Sequence, residues 1–233
     1  MLTREENDLI CRVGPGTLMG NLMRQYWLPA GLSSELPEPD GAPLRLRLLG
    51  ENLVAFRTTT GSVGLIADAC PHRGASMFFG RNEEEGLRCV YHGWKFDVEG
   101  NCTDMPNVPP SQDFKHRIKA KAYKVVERAG FIWTYMGKRE KPPELPALEV
   151  LNLPEDQRVT RVHQRECNYF QSLEGDIDTS HFGFLHIGGL KMEDVPQDTI
   201  HKWGVGDRAP EYKSTETDWG TMYAAYRPAD AGN

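Results

Sequence analysis

The spacing of apolar residues divides the chain into helical and extended stretches. Thr3 and Glu6 make a capping-box pattern ahead of Leu9 and Ile10, which predicts a short first helix. Gly14-Pro15-Gly16 then interrupts the chain, and Thr17 can cap a second helix. Its apolar residues, Leu18, Met19, Leu22, Met23, Tyr26 and Trp27, recur on one face, and Pro29 is expected to end it. From about Leu44 the period shortens. Leu44, Leu46 and Leu48 alternate with Arg45 and Arg47, and Leu53–Thr58 and Val63–Ala67 flank a turn at Thr60-Gly61-Ser62, a hairpin signal. Leu87–Val90 and Trp94–Val98 predict a further hairpin, with the next turn at Glu99-Gly100-Asn101. Arg117–Val125 alternates with Arg117, Lys119 and Lys121 on one face, which fits a solvated strand face or a basic docking surface. Phe131–Tyr135 reads as a last strong strand, and Pro142, Pro143, Pro146 and Pro154 mark a linker. The expected organisation is a helical arm (1–26), a compact β domain (27–140), a proline-rich linker (141–158) and a different domain (159–233).

Composition adds mainly exclusions. The 233 residues are 39% hydrophobic and 26% charged, ordinary for a soluble protein, and the net charge of -6 argues against general nucleic-acid binding. No apolar run approaches a membrane span, so no membrane association is expected. The N-terminus is charged where a signal peptide needs an apolar core. Cys11, Cys102 and Cys167 are scattered and need no bridge, which fits a reducing cytoplasm.

The chemistry begins with Cys70-Pro71-His72 and Cys89-Val90-Tyr91-His92, together C-x-H-x16-C-x2-H. Two thiolates and two imidazoles at this spacing suit a Rieske [2Fe–2S] centre, in which histidines replace cysteines on one iron and make it easier to reduce. A structural zinc site also uses two cysteines and two histidines. It usually places C-x2-4-C before H-x3-5-H, whereas here each pair mixes the two types. Gly74 and Gly93 stand near the histidines, where glycine lets backbone fold tightly around a cluster. Neither loop carries the extra cysteine of the disulfide-bridged respiratory type.

A second constellation runs from Asn168 to His186 and contains D-x2-H-x4-H: Asp178, His181 and His186. On one helix Glu174, Asp178 and His181 would share a stripe. His181 and His186 differ by five positions, so sharing a metal requires the backbone to loosen between them, and Gly183 is placed to allow it. The plain alternative is a surface helix with unrelated charges.

A Rieske motif followed by D-x2-H-x4-H resembles the Rieske non-haem iron aromatic-ring-hydroxylating oxygenases, specifically their α subunits. Cys89–Phe96 and Leu173–His186 look most like the phthalate dioxygenase group. The resemblance implies an α+β chain: an all-β Rieske domain with N-terminal helices, then the first part of a helix-grip-type catalytic domain. It implies that Cys70, His72, Cys89 and His92 bind the [2Fe–2S] cluster and that His181 and His186 bind mononuclear Fe(II). Asp178 matches the aspartate that bridges to a neighbouring subunit's cluster histidine, so a homotrimer, or a hexamer of stacked trimers, is implied. An NADH-dependent flavin/iron–sulfur reductase, O2 and an aromatic substrate are the implied partners. The family's third iron ligand is a carboxylate far downstream. The acidic residues from Glu193 to Asp230 come too soon to match it, so the sequence reads as an N-terminal fragment that holds mononuclear iron poorly. The expected activity is dioxygenation of an aromatic carboxylate such as phthalate, with Arg208 a candidate partner for the substrate's carboxylate. O-demethylation or monooxygenation is the alternative outcome. A Rieske ferredoxin, a pure electron carrier, is the rival, and it leaves His181 and His186 without a purpose.

Overall fold

The computed structural model describes residues 2–196, 198–199 and 201–229, so Asp230 lies outside the described residues. The chain forms two compact units, Met1–His163 and Gln164–Asn233.

In the first unit α1 (Arg4–Cys11) and α2 (Leu18–Met23) precede β1 (Trp27–Leu32), β2 (Leu44–Leu48), β3 (Glu51–Arg57) and β4 (Val63–Ala67). Then come β5 (Arg81–Glu83), β6 (Gly86–Arg88), β7 (Lys95–Phe96), β8 (Cys102–Asp104), β9 (Ala122–Arg128) and β10 (Phe131–Tyr135). They form a six-stranded sheet in the order β1-β10-β9-β4-β3-β2 and a four-stranded sheet in the order β5-β6-β7-β8. All pairs are antiparallel.

Strand β3 shows how the sequence builds this unit. Leu53, Val54, Ala55 and Phe56 are all fully buried. Successive side chains of a strand point to opposite faces. Val54 and Phe56 therefore enter one core with Ile66, Met77, Leu87 and Phe96, while Leu53 and Ala55 enter another with Leu65 and Ile132. The first core also contains Cys70 and Cys89.

The capping box at Thr3 and Glu6 forms as expected, and Thr17 caps α2 by accepting the Gly20 N–H. Two expectations need correction. Helix α2 stops at Met23, and Tyr26 and Trp27 lie outside it. Trp27 opens β1, where it pairs with Tyr135, packs on that ring at 5.8 Å and donates Nε1–H to the Pro143 carbonyl at 2.8 Å. Pro29 is tolerated in this strand because β1 is at the sheet edge and its register shifts between Pro29 and Gly31. The strand expected from Arg117 instead begins at Ala122. Lys115–Arg117 makes a 3-10 turn, and the Ile118 carbonyl and Ala120 N–H pair with Cys102 and Gly100.

In the second unit α3 (Tyr169–Ile177) is followed by a π-helical turn (Phe182–His186), α4 (His201–Gly206), β11 (Glu211–Thr217) and β12 (Gly220–Tyr226). Strands β11 and β12 pair as a hairpin, with Thr217 opposite Gly220. Among the described residues no helix is long and apolar enough to cross a membrane.

The N-terminal helices are fastened to the sheet by Arg24, which is 8% exposed. Its guanidinium donates to the carbonyls of Val13, Gly20 and Leu49 and to Glu51 Oε1 at 2.8 Å. Glu51 Oε2 accepts from Tyr123 Oη at 2.6 Å and from Lys121 Nζ. Burial works to raise the Glu51 carboxyl, but hydrogen bonds from Lys121, Tyr123 and Arg24 outweigh it and hold the group below the usual carboxylate range. A depressed folded-state pKa gives stability that is present above the unfolded value and is lost as pH falls through the folded one. Removing one partner of a buried ion pair costs about 3 kcal/mol or more. Arg24→Met should therefore lower the unfolding free energy by roughly that amount in urea titrations at neutral pH. Glu51→Gln should flatten the loss of stability on the acid side.

Candidate metal centres

The first centre rests on two loops with the same internal bonding. One leaves β4 and runs from Cys70 to Ala75; the other joins β6 to β7 and runs from Cys89 to Trp94. In the first, Cys70 N–H donates to the Ala75 carbonyl and Gly74 N–H returns to the Cys70 carbonyl, at 2.9 and 2.8 Å. In the second, Cys89 N–H donates to the Trp94 carbonyl and Gly93 N–H returns to the Cys89 carbonyl, at 2.9 and 3.0 Å. The returning residue is in each case a glycine in the left-handed region, with φ of 71° at Gly74 and 78° at Gly93. A Cβ on Gly93 would also come within 2.5 Å of Pro106 Cγ.

The rings place thiols inward and imidazoles outward. Cys70 and Cys89 are buried in the core, while the rings of His72 and His92 stand 4.5 Å apart at the loop tips. His72 lies flat on Trp94, with ring centroids 4.3 Å apart and planes 10° from parallel. Trp94 is fixed by its Nε1–H bond to Asn107 Oδ1 at 2.8 Å. Arg88 steadies the second loop from behind, donating Nη1–H to the Gly93 carbonyl and to Asp104, both at 2.7 Å. Asp68 steadies the first, accepting from Ser76 Oγ at 2.6 Å and from the Phe78 N–H at 3.1 Å.

The electrostatics suit a metal. Burial above all, aided by the charges of His92 and Arg73, pushes the His72 imidazole below its ordinary range and favours the neutral ring that ligates. Burial is also the main cause that pushes the Cys70 thiol up to about 11, so thiolate here needs a cation to neutralise it. His72 Nδ1 is buried with no hydrogen-bond partner. Buried polar atoms are normally satisfied, and a metal bond supplies what this nitrogen lacks. The residues therefore fit a Rieske cluster. Among the described residues no three His, Cys, Asp or Glu side chains converge on a single-ion site. A dinuclear cluster asks for two protein ligands per iron.

The second constellation departs from the expected single helix. Asn168 caps α3 by accepting the Gln171 N–H at 2.9 Å, and the helix ends at Asp178, with φ -79° and ψ 109°. The reason is local. Asp178 Oδ1 accepts the Ser180 N–H at 2.7 Å, a turn that competes with further helix. Among the described residues Glu174 enters through its carbonyl, which accepts the Asp178 N–H at 3.1 Å. The proximity expected of Asp178 and His181 survives the break, with Oδ2 3.3 Å from His181 Nδ1. The Ser180 N–H, then Tyr212 and His181, hold the Asp178 carboxyl below its usual range.

The expected loosening after His181 is a π turn, in which the Ile187 N–H reaches back five residues to the Phe182 carbonyl. It brings the His181 and His186 rings to 5.2 Å between centroids. Gly183 is buried in this turn, and its role is spatial: a Cβ there would lie 3.2 Å from Arg208 Cγ. Arg208 itself donates to the Gly188 carbonyl at 3.2 Å and stands 5.2 Å from the Phe184 ring centre.

Both histidines line a cavity of about 620 Å³ together with Asp178, Phe182, His201, Trp203 and Arg227. Arg208 is not among its lining residues. Arg227, which is, donates to the carbonyls of Thr179 and Asp207 at 2.9 and 3.0 Å. Sequence reasoning missed His201, Trp203 and Arg227, because no spacing signal connects them to the D-x2-H-x4-H motif.

Comparison with known proteins agrees with this geometry. Residues 26–124 match the Rieske [2Fe-2S] domain. The chain is 56% identical over 229 residues to the 3-chlorobenzoate-3,4-dioxygenase oxygenase subunit of Comamonas testosteroni, covering 98% of this chain and 52% of that protein. It is 42% identical over 235 residues to the phthalate 4,5-dioxygenase oxygenase subunit of Pseudomonas putida, covering 97% of this chain and 53% of that one. Among solved structures, NdmA of Pseudomonas putida CBB5 superposes with a TM-score of 0.60 at 30% identity, over 72% of this chain and 52% of that one. The chain thus spans about half the length of these relatives. The Rieske domain and this extent of identity place the chain in the family of the Rieske non-haem iron oxygenases, with relatives among the oxygenase subunits of 3-chlorobenzoate and phthalate dioxygenases.

Proposed function

We propose that this chain carries the metal-binding residues of a terminal oxygenase that dioxygenates an aromatic carboxylate, with O2 and with electrons delivered from NADH by a flavin/iron–sulfur reductase. The observation that carries the reading is the presence, in one chain, of the inward-thiol, outward-imidazole loops and the His181–His186 pair beside Asp178. The names of the two oxygenase-subunit relatives, one for 3-chlorobenzoate and one for phthalate, support an aromatic acid as substrate. A Rieske ferredoxin would explain the first unit and give the second, with its histidine-lined cavity, no task.

In this reading Cys70, His72, Cys89 and His92 hold the cluster, and His181 and His186 hold the mononuclear iron with a carboxylate. Bound there, the two groups supply one-electron transfer and O2 activation respectively. The chain's residues set the conditions. Asp178 Oδ2 stands 3.3 Å from His181 Nδ1, and because an ionised carboxylate only accepts hydrogen bonds, this contact favours the Nδ1–H tautomer and leaves Nε2 as the ligand atom. The Trp94 ring fixes the plane of His72. Asp178 is the proposed contact to a cluster histidine of a neighbouring subunit, within a trimer or a pair of stacked trimers. Phe182 and Trp203 offer apolar walls for an arene, and Arg227 lines the same cavity as a candidate cation for its carboxylate, whereas Arg208, the candidate from the sequence, lies outside that lining.

The metal assignments separate by analysis of the whole oxygenase. Cys89→Ser should abolish the cluster's visible absorption. His181→Ala or His186→Ala should lower iron by one atom per chain and leave that absorption intact; equal loss of both signals would contradict the assignment. Turnover of a panel of aromatic acids and methoxybenzoates with reductase and NADH should give ring diols, whereas formaldehyde as the main product would favour a demethylase. Replacing the substrate-pairing arginine by methionine should raise KM about tenfold for an aromatic acid, the worth of one charge-assisted hydrogen bond, and leave a neutral arene unaffected. An equal effect on both substrates removes that arginine from binding.

A further inference from the structure

Tyr212 sits on β11, 34 residues after Asp178, and its hydroxyl lies within hydrogen-bond distance of three groups. They are Asp178 Oδ1 at 3.2 Å, Thr179 N at 3.1 Å and Thr179 Oγ1 at 3.1 Å. The direction of each bond is forced. The carboxylate can only accept, so Tyr212 donates its single proton to Asp178. Its two lone pairs then take the Thr179 N–H and O–H, and the phenol is fully satisfied.

The consequence falls on the aspartate. Oδ1 is held by Tyr212 and by the Ser180 N–H at 2.7 Å, which leaves Oδ2 to face His181 Nδ1 at 3.3 Å. Helix α3 has already ended at this residue, so helical geometry does not fix the carboxylate. Arg227, just beyond β12, holds the same short segment through the Thr179 carbonyl at 2.9 Å.

Resting on the reading of Asp178 as the bridge to a neighbouring cluster, we propose that Tyr212 is a positioning residue for electron delivery. It neither gives nor takes the electron. Its hydroxyl locks one oxygen of Asp178 so that the other stays on His181, which keeps the His181 tautomer and ring plane set for the iron. The ring of Tyr212 faces that of Tyr223, with centroids 6.4 Å apart, and phenylalanine keeps this packing.

The test combines a double-mutant cycle with a metal-free measurement. In the whole oxygenase, reduced and mixed with O2 and substrate, Tyr212→Phe should slow single-turnover reoxidation of the cluster about tenfold, the effect of one lost hydrogen bond at a critical carboxylate. Cluster content, iron content and melting temperature should stay at wild-type values. In an Asp178→Asn background Tyr212→Phe should add no further slowing, because both act through one group. Tyr223→Phe should leave the rate unchanged. In the metal-free protein, 15N shifts of the His181 ring should report a single Nδ1–H tautomer, and Tyr212→Phe should convert it to a mixture. A wild-type rate in Tyr212→Phe, or the same tenfold slowing on top of Asp178→Asn, overturns the proposal. A mixed tautomer in the wild-type protein overturns it too, whether or not the variant folds. A wild-type rate in Asp178→Asn removes the bridge reading itself, which distinguishes that failure from a failure at Tyr212.

Discussion

A buried imidazole nitrogen with no hydrogen-bond partner, His72 Nδ1, is the constraint around which the first unit is arranged. Such an atom costs stability unless something bonds it. Trp94 covers one face of the ring, His92 stands beside it, and the Cys70 and Cys89 thiols lie beneath in an apolar core. A metal cluster satisfies the nitrogen and neutralises the thiolates together. The two loops then need to be rigid without it, which explains the matched backbone rings closed at Gly74 and Gly93 and the braces from Asp68 and Arg88. Each brace is a charged side chain fixed on a loop whose own ligands must stay free for metal.

The second centre meets a similar demand by a different route. Its histidines are close in sequence, and five residues is the wrong interval for an α-helix. The chain resolves the mismatch by ending α3 at Asp178 and winding the following segment as a π turn. The Asp178 side chain has a part in both events. It closes the turn that stops the helix, through Ser180, and it presents its second oxygen to His181. One carboxylate thus sets the backbone path and the ring orientation.

Most of the first centre's geometry was legible in the sequence because its cysteines and histidines are local. Cys70 and His72, or Cys89 and His92, are neighbours, and their loops lie between strands that alternate clearly. The capping box at Thr3, the Thr17 cap and the hairpin turns were legible for the same reason. Trp27 was not, because an apolar residue after a helical stripe carries no mark of the distant strand, Phe131–Tyr135, that recruits it. Residues 117–121 misled in the opposite sense: they alternate like a strand yet pair only briefly, with the turn at Gly100. The continuous helix through His181 was misjudged because periodicity does not register an aspartate that bonds its own backbone.

The same distinction separates the two centres physically. The D-x2-H-x4-H motif identifies donors, but donors alone do not fix a ring's tautomer or plane. In the proposed reading that task falls to Tyr212, which reaches Asp178 from 34 positions away, while Arg227 holds the neighbouring Thr179 carbonyl from 48 positions away. Both contacts depend on the hairpin of β11 and β12, which carries Tyr212 and leads into Arg227. Ligand geometry at the second centre is therefore a product of tertiary structure, whereas at the first it is written into two short loops. A substitution in the hairpin can disturb the histidines without touching them. This is why the short motif names the proposed metal ligands but not the residues that position them.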